Sequence, residues 1–201
     1  MSNDLIDALN KNQAAFGLDL HSLVSERLAE YHSLVTTNNE LLHLVAPCAP
    51  EVFATRHLLE SLTMLGHLPT GARFTDVGSG GGLPALPCLI ARGDLSGVLV
   101  EAKEKKAGFL KFVVEELGLA DRVKIIARQF NEIDPDDSDT ITCRALDKFS
   151  EKLPRLLKWA GKRRLLLFGG ENLAETLRRQ SVGFDRELTP LSERRYLYVS
   201  K

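Results

Sequence analysis

The segment Phe74-Thr75-Asp76-Val77-Gly78-Ser79-Gly80-Gly81-Gly82-Leu83-Pro84 limits what this chain can fold into more than any other stretch. It reads as a strand that ends in a glycine-rich turn and opens a helix. Gly78, Gly80 and Gly82 can take positive φ and carry no Cβ, so the backbone can turn sharply and lie directly against a ligand. Pro84 suits the first turn of the following helix, where a missing N–H costs nothing. The free N–H groups of that turn would face a carboxylate or phosphate. A turn of this kind predicts a βα unit that seats a nucleotide cofactor.

Spacing narrows the cofactor. A dinucleotide fingerprint needs a third Gly or Ala three residues after its second glycine, where this chain has Leu83. A P-loop needs Gly-Lys-Ser/Thr, which is absent. What remains is Asp-x-Gly-x-Gly-x-Gly, the loop pattern of S-adenosylmethionine methyltransferases, which expects an acidic residue closing the next strand. Gly97-Val98-Leu99-Val100-Glu101 supplies it, close to the offset of about 20 residues at which a carboxylate reaches a ribose hydroxyl.

The rest of the chain is consistent with a single α/β unit carrying an appendage. At 201 residues and 44% hydrophobic content it can bury a sizeable core. The start of the chain lacks a basic region and an apolar segment, and no apolar run approaches the ~18 residues of a membrane span, so a cytoplasmic protein is expected. Cys48, Cys88 and Cys143 are too dispersed for a disulfide framework or a zinc knuckle. The five histidines, His21, His32, His43, His57 and His67, lack the one-turn spacing of a metal pair and read as packing or surface residues. Charge is divided unevenly: residues 1–140 hold 12 Lys/Arg against 20 Asp/Glu, and residues 141–201 hold 14 against 7. Arg155, Lys158, Lys162, Arg163 and Arg164 cluster before a strand and suggest a phosphate-binding surface, with solvated helix faces as the simpler explanation.

Apolar periodicity makes residues 1–70 a helical extension, with one stripe running from Leu20 to Val35 and another from Leu58 to Leu65. Residues 71–201 read as the cofactor domain. Strands are predicted at 73–77, 97–101, 122–126, 139–143 and 163–168, with helices at 84–91, 104–117 and 147–160. A further helix at 172–180 precedes strands at 182–188 and 195–199, which should pair as an antiparallel hairpin at the sheet edge. The predicted fold is Rossmann-like, a doubly wound and mostly parallel sheet. In such a sheet the glycine loop, Glu101, Ala127-Arg128 and Cys143-Arg144 all sit at carboxyl ends of strands and converge on one crevice.

From about residue 38 onward the chain resembles the bacterial 16S ribosomal RNA guanine-N7 methyltransferases, also called RsmG or glucose-inhibited division protein B. The resemblance rests on Arg56-His57-Leu58-Leu59-Glu60-Ser61-Leu62, on the glycine loop extended by Leu83-Pro84-Ala85-Leu86-Pro87, and on Lys105-Lys106 with Phe109-Leu110. Arg128, Cys143-Arg144-Ala145 and Glu193-Arg194-Arg195 complete it. The chain departs from the family pattern at Asn38-Asn39, at His43-Leu44-Val45, and at Gly169-Gly170, where the family has Lys-Gly.

The resemblance implies S-adenosylmethionine as cofactor, small-subunit ribosomal RNA or a 30S particle as partner, and neither metal nor membrane. It implies cofactor contacts from Asp76, Gly78, Ser79, Gly80, Gly82, Leu83, Glu101, Ala102, Arg128, Gln129, Phe130 and Arg144. Guanine N7 has a lone pair and no proton, so its methylation needs positioning rather than a general base. Arg144, Lys105 and Arg128 are the residues expected to hold the base and the RNA backbone, with a structural ion pair to Asp76 or Asp147 as the other reading of Arg144. Cys143 as the nucleophile of a cytosine-C5 methyltransferase is discounted, since no proline precedes it. A small-molecule methyltransferase and a cofactor-binding module without catalysis are the alternatives.

Overall fold

The computed structural model describes residues 2–144 and 149–201. Ala145 and Asp147 lie outside the described residues. Seven strands among the described residues form one sheet: β1 (Arg73–Val77), β2 (Ser96–Val100), β3 (Val123–Ile126), β4 (Thr140–Arg144), β5 (Arg164–Gly169), β6 (Phe184–Leu188) and β7 (Tyr196–Ser200). Their order is β3-β2-β1-β4-β5-β7-β6. β1 to β5 pair in parallel, and β7 runs antiparallel between β5 and β6. The Rossmann-like expectation and its antiparallel ending therefore hold, with β7 inserted inside the terminal β6 edge.

The sheet is covered on both faces, so its inner strands are buried almost throughout: β2 and β5 carry apolar runs, while β1 and β4 bury Thr75, Asp76, Thr140 and Thr142 among their apolar residues. Successive residues point to opposite sides. Leu166 and Phe168 enter the core beneath the N-terminal helices, whereas Leu165 and Leu167 enter the core beneath α7 (Phe149–Ala160) and α8 (Glu171–Arg179). The first core also takes Leu5 and Leu9 of α1 (Ser2–Asn12), Leu28, Tyr31 and Val35 of α2 (Ser22–Leu42), and residues of α5 (Ala85–Ala91) and α6 (Glu104–Glu116).

A continuous helical segment links α2 to the sheet. It passes through α3 (Pro50–Phe53), a π-helical stretch (Ala54–Leu59), α4 (Glu60–Leu62) and a 3-10 turn (Thr63–His67). Insertions of this wider geometry recur at functional sites. Here it brings Arg56, His57 and Glu60 to the end of β4. No helix among the described residues is long and apolar enough to cross a membrane.

Candidate cofactor and substrate site

Sequence order reverses at β1, whose neighbours are β2 and β4, and the crevice opens beyond the carboxyl ends of these strands. Parallel register aligns Val77 with Val100 and Val100 with Ile126, so the glycine loop, Glu101 and the turn after β3 leave the sheet side by side. They surround a cavity of about 550 Å³.

The loop has the conformation its glycines permit: φ is +75° at Gly78, +56° at Gly80 and +98° at Gly82. Gly78 and Ser79 donate backbone N–H bonds to the carbonyl of Val100 at 2.8 and 3.2 Å. Glu101 grips the loop from inside, since its Oε2 accepts from the Gly80 N–H and its Oε1 from the Lys103 N–H, both at 2.8 Å. Each carboxylate oxygen retains a further lone pair for a ligand hydroxyl. The helix after the loop starts at Ala85, with Pro84 as the residue before its first turn and a cis peptide joining Leu83 to Pro84.

Across the cavity a 3-10 turn (Phe130–Glu132) is fixed by a capping box in which the Gln129 and Glu132 side chains satisfy each other's backbone N–H groups. That turn holds Arg128, Gln129 and Phe130 in the lining.

Asp76 lies below the floor rather than in the lining. It is fully buried; its Oδ1 accepts from the Thr142 hydroxyl at 3.0 Å, and its Oδ2 has no hydrogen-bond partner among the described residues. Burial pushes its carboxyl from the ordinary 3.8 up to about 7. A carboxyl that binds its proton more tightly when folded contributes stability at low pH, and that contribution is lost as pH rises through about 7. Asp76→Asn is therefore expected to flatten the fall in unfolding free energy between pH 4 and pH 7, measured by urea titration. Identical pH slopes for the two proteins would show that Asp76 does not carry this dependence.

Arg144 closes β4 and lines the cavity with only 13% of its side chain exposed. Asp76, one of the two carboxylates anticipated from sequence, makes no ion pair with it; Asp147, the other, lies outside the described residues. Among the described residues the ion-pair partner of Arg144 is Glu60, at 3.3 Å, and Arg144 also donates to the Arg56 carbonyl at 2.7 Å and the Ser61 hydroxyl at 3.4 Å. Glu60 is itself buried and takes Arg195 on its other oxygen at 2.6 Å. His57 Nδ1 lies 3.3 Å from the same guanidinium. Burial, followed by the nearby Arg144, Arg195 and Arg56 charges, lowers the His57 pKa to about 4, so the ring is neutral and Nδ1 accepts from Arg144.

Of the residues expected from sequence, Gly78, Ser79, Gly80, Leu83, Glu101, Ala102, Arg128, Gln129, Phe130 and Arg144 line the cavity. Gly82 does not; it packs beneath the loop against Leu86 and Leu110. Lys105 is exposed on α6 and outside the lining, because neighbouring helical residues diverge by about 100° and it is Lys106 that turns inward. Cys143 is buried in the core beneath α7.

Sequence reasoning missed His57, the segment His43–Ala46 and Lys152 of α7 as lining residues, whereas Arg155, named from sequence in the basic cluster, does line the cavity. The basic cluster at 162–164 falls at the amino end of β5, away from the crevice. There Arg163 donates to the carbonyls of Asp136, Ser138 and Ala160, and Arg164 to that of His67. No group of three His, Cys, Asp or Glu among the described residues could hold a metal ion.

Residues 24–184 match the family model described as rRNA small subunit methyltransferase G. A Sorangium cellulosum protein named Ribosomal RNA small subunit methyltransferase G is 37% identical over 182 residues, covering 87% of this chain and 76% of its own. Its namesake from Chromobacterium violaceum is 39% identical over 152 residues, covering 74% and 72%. Among solved structures, the mitomycin 7-O-methyltransferase MmcR has a TM-score of 0.60 at 19% identity, with 96% of this chain and 67% of that chain covered. The B. subtilis tRNA m1A22 methyltransferase TrmK has a TM-score of 0.56 at 21% identity, with 71% and 64% covered. These likenesses are of fold.

Proposed function

The chain belongs to the rRNA small subunit methyltransferase G family, and from that premise we propose that it methylates N7 of a guanine in small-subunit (16S) ribosomal RNA, with S-adenosylmethionine as donor. The observation that carries the reading is the joining of a cofactor-type half-site, the glycine loop with Glu101, to a guanidinium at the end of β4 in one cavity. The residues suit such a cofactor. Gly80 has no contact closer than 3.8 Å where a Cβ would stand, so its face toward the cavity is free for a ligand, and Glu101 keeps acceptor capacity for ribose hydroxyls. When bound, the cofactor supplies an electrophilic methyl group on sulfur.

The chain's own task is to bind and orient. The planar Arg144 fork, held from behind by Glu60, can donate to guanine O6 and leave N7 facing the donor. N7 carries a lone pair and no proton, so this chemistry needs no general base. Lys106, Arg128, Lys152 and Arg155 give the cavity a cationic margin suited to RNA phosphates.

Nucleoside mass spectrometry of small-subunit rRNA from cells lacking the protein tests the reading. Loss of one 7-methylguanosine, restored by the gene, is the expected result. An unchanged nucleoside profile, with methyl transfer to a metabolite extract instead, would favour a small-molecule substrate.

The margin predicts which charges bind RNA. Lys152→Ala with Arg155→Ala should reduce the slope of log affinity against log salt by about 0.7 to 0.9 for each phosphate no longer neutralised. Lys162→Ala, at the other end of the sheet, should leave the slope unchanged. The opposite pattern would move the RNA to the amino end of β5.

A further inference from the structure

The cavity has a wall that comes from outside the sheet. His43, Leu44, Val45 and Ala46 form a strap after α2, and all four line the cavity. His43 ends the helix in the left-handed region, with φ +48°, and the strap that follows has no ladder to satisfy its backbone. Asn39 does so instead. Its Oδ1 accepts from the N–H of Leu44 at 2.8 Å and of Val45 at 2.9 Å, while its Nδ2 donates to the Val45 carbonyl at 2.9 Å. A carboxamide is the side chain that offers an acceptor and a donor in one plane for this purpose. Lys106 Nζ secures the other end by donating to the His43 carbonyl at 2.9 Å.

The strap bears on the glycine loop. A Cβ built on Gly81 would stand 3.2 Å from Leu44 Cβ, and the Gly81 carbonyl accepts from the buried Tyr31 hydroxyl at 2.7 Å. Thus the outside of the loop is held at two points, by Tyr31 of α2 and by the strap, while Glu101 holds its inside.

We propose that Asn39 is a positioning residue for the cofactor: by fixing the strap it sets how long S-adenosylmethionine and its demethylated product remain bound. The proposal rests on the cofactor reading above. Without Asn39, two N–H groups and one carbonyl beside the ligand lose their partners, and the wall can leave the loop. The strap then costs the complex its order rather than its encounter, so dissociation responds more than association.

The test uses the full chain and S-adenosylhomocysteine. Asn39→Ala should weaken binding by about tenfold, with the change in the dissociation rate measured by stopped flow. Asn39→Asp keeps the acceptor for both N–H groups but sets a carboxylate oxygen against the Val45 carbonyl, so it should recover only part of that loss. In the unaltered protein, hydrogen exchange at Leu44 and Val45 should slow when the ligand binds. A merely structural role would lower the melting temperature of Asn39→Ala without changing the dissociation rate, and that result overturns the proposal. If Asn39→Ala does not fold, unchanged dissociation from Asn39→Asp together with unchanged strap exchange overturns it equally. An unaltered chain that binds no S-adenosylhomocysteine removes the cofactor reading itself, whereas wild-type binding by every variant removes only the role of Asn39.

Discussion

Arg144→Ala is expected to cut methylation of small-subunit rRNA by about 10²-fold or more, since misplacement at a reacting centre costs about that much. The same change should lower the melting temperature. Glu60 has 3% of its side chain exposed and divides its charge between Arg144 and Arg195. Removing one partner of a buried pair costs roughly 3 to 5 kcal/mol, and the surviving Arg195 contact places this case toward the lower end. Stability and turnover are therefore entangled in the alanine variant, and Arg144→Lys separates them. Lysine preserves a positive charge beside Glu60 but offers a point donor in place of a planar fork, so it cannot also reach the Arg56 carbonyl and present a second donor to guanine O6. It should melt near the unaltered protein and still lose most methylation, while S-adenosylmethionine affinity stays within a few-fold by calorimetry. An Arg144→Lys protein that melts normally and methylates at the unaltered rate would remove the orienting role and leave Arg144 as a structural partner of Glu60.

How much of this could be read from the sequence depended on where each residue gets its signal. The strands were legible to within a residue or two because apolar runs such as Leu165 to Phe168 are buried on both faces and bounded by glycine or charge. Given parallel strands, convergence of the glycine loop, Glu101, Arg128 and Arg144 followed from geometry, since every carboxyl end points the same way. The extension was legible as helical, but a helical stripe says which side is apolar and not what lies against it. Contacts such as Tyr31 to Gly81, or Glu60 to Arg144, join segments 50 or 84 residues apart and leave no local trace.

Charge was the least legible feature. Arg163 sits in the densest basic cluster of the sequence, yet three backbone carbonyls absorb its guanidinium. Lys106 differs from Lys105 by a single helical step, and only the three-dimensional path of α6 decides which one faces the cavity. His57 was visible as part of the Arg56-to-Leu62 motif. Its role was not, because only the π-helical stretch and the end of β4 together bring its ring to Arg144.

The glycines of the loop are expected to separate cofactor binding from folding. A Cβ at Gly82 would lie 2.3 Å from Leu86 Cδ1 and 3.3 Å from Leu110, at a φ of +98°. Gly82→Ala must therefore displace core side chains as well as strain the backbone, a combination that costs a few kcal/mol and lowers the melting temperature by several degrees. Gly80 is different: its φ is +56°, and a Cβ there meets only the Gly78 carbonyl, at 3.8 Å. Gly80→Val adds backbone strain of ~1 to 2 kcal/mol and places two methyl groups where a cofactor would lie against the loop. Gly80→Val should therefore fold and yet lose measurable binding of S-adenosylmethionine and its product by calorimetry, while Gly82→Ala loses stability first and binding only in proportion. Tight binding by a folded Gly80→Val protein would place the cofactor elsewhere in the cavity, and a Gly82→Ala protein as stable as the unaltered chain would mean that α5 can shift to make room for the methyl group.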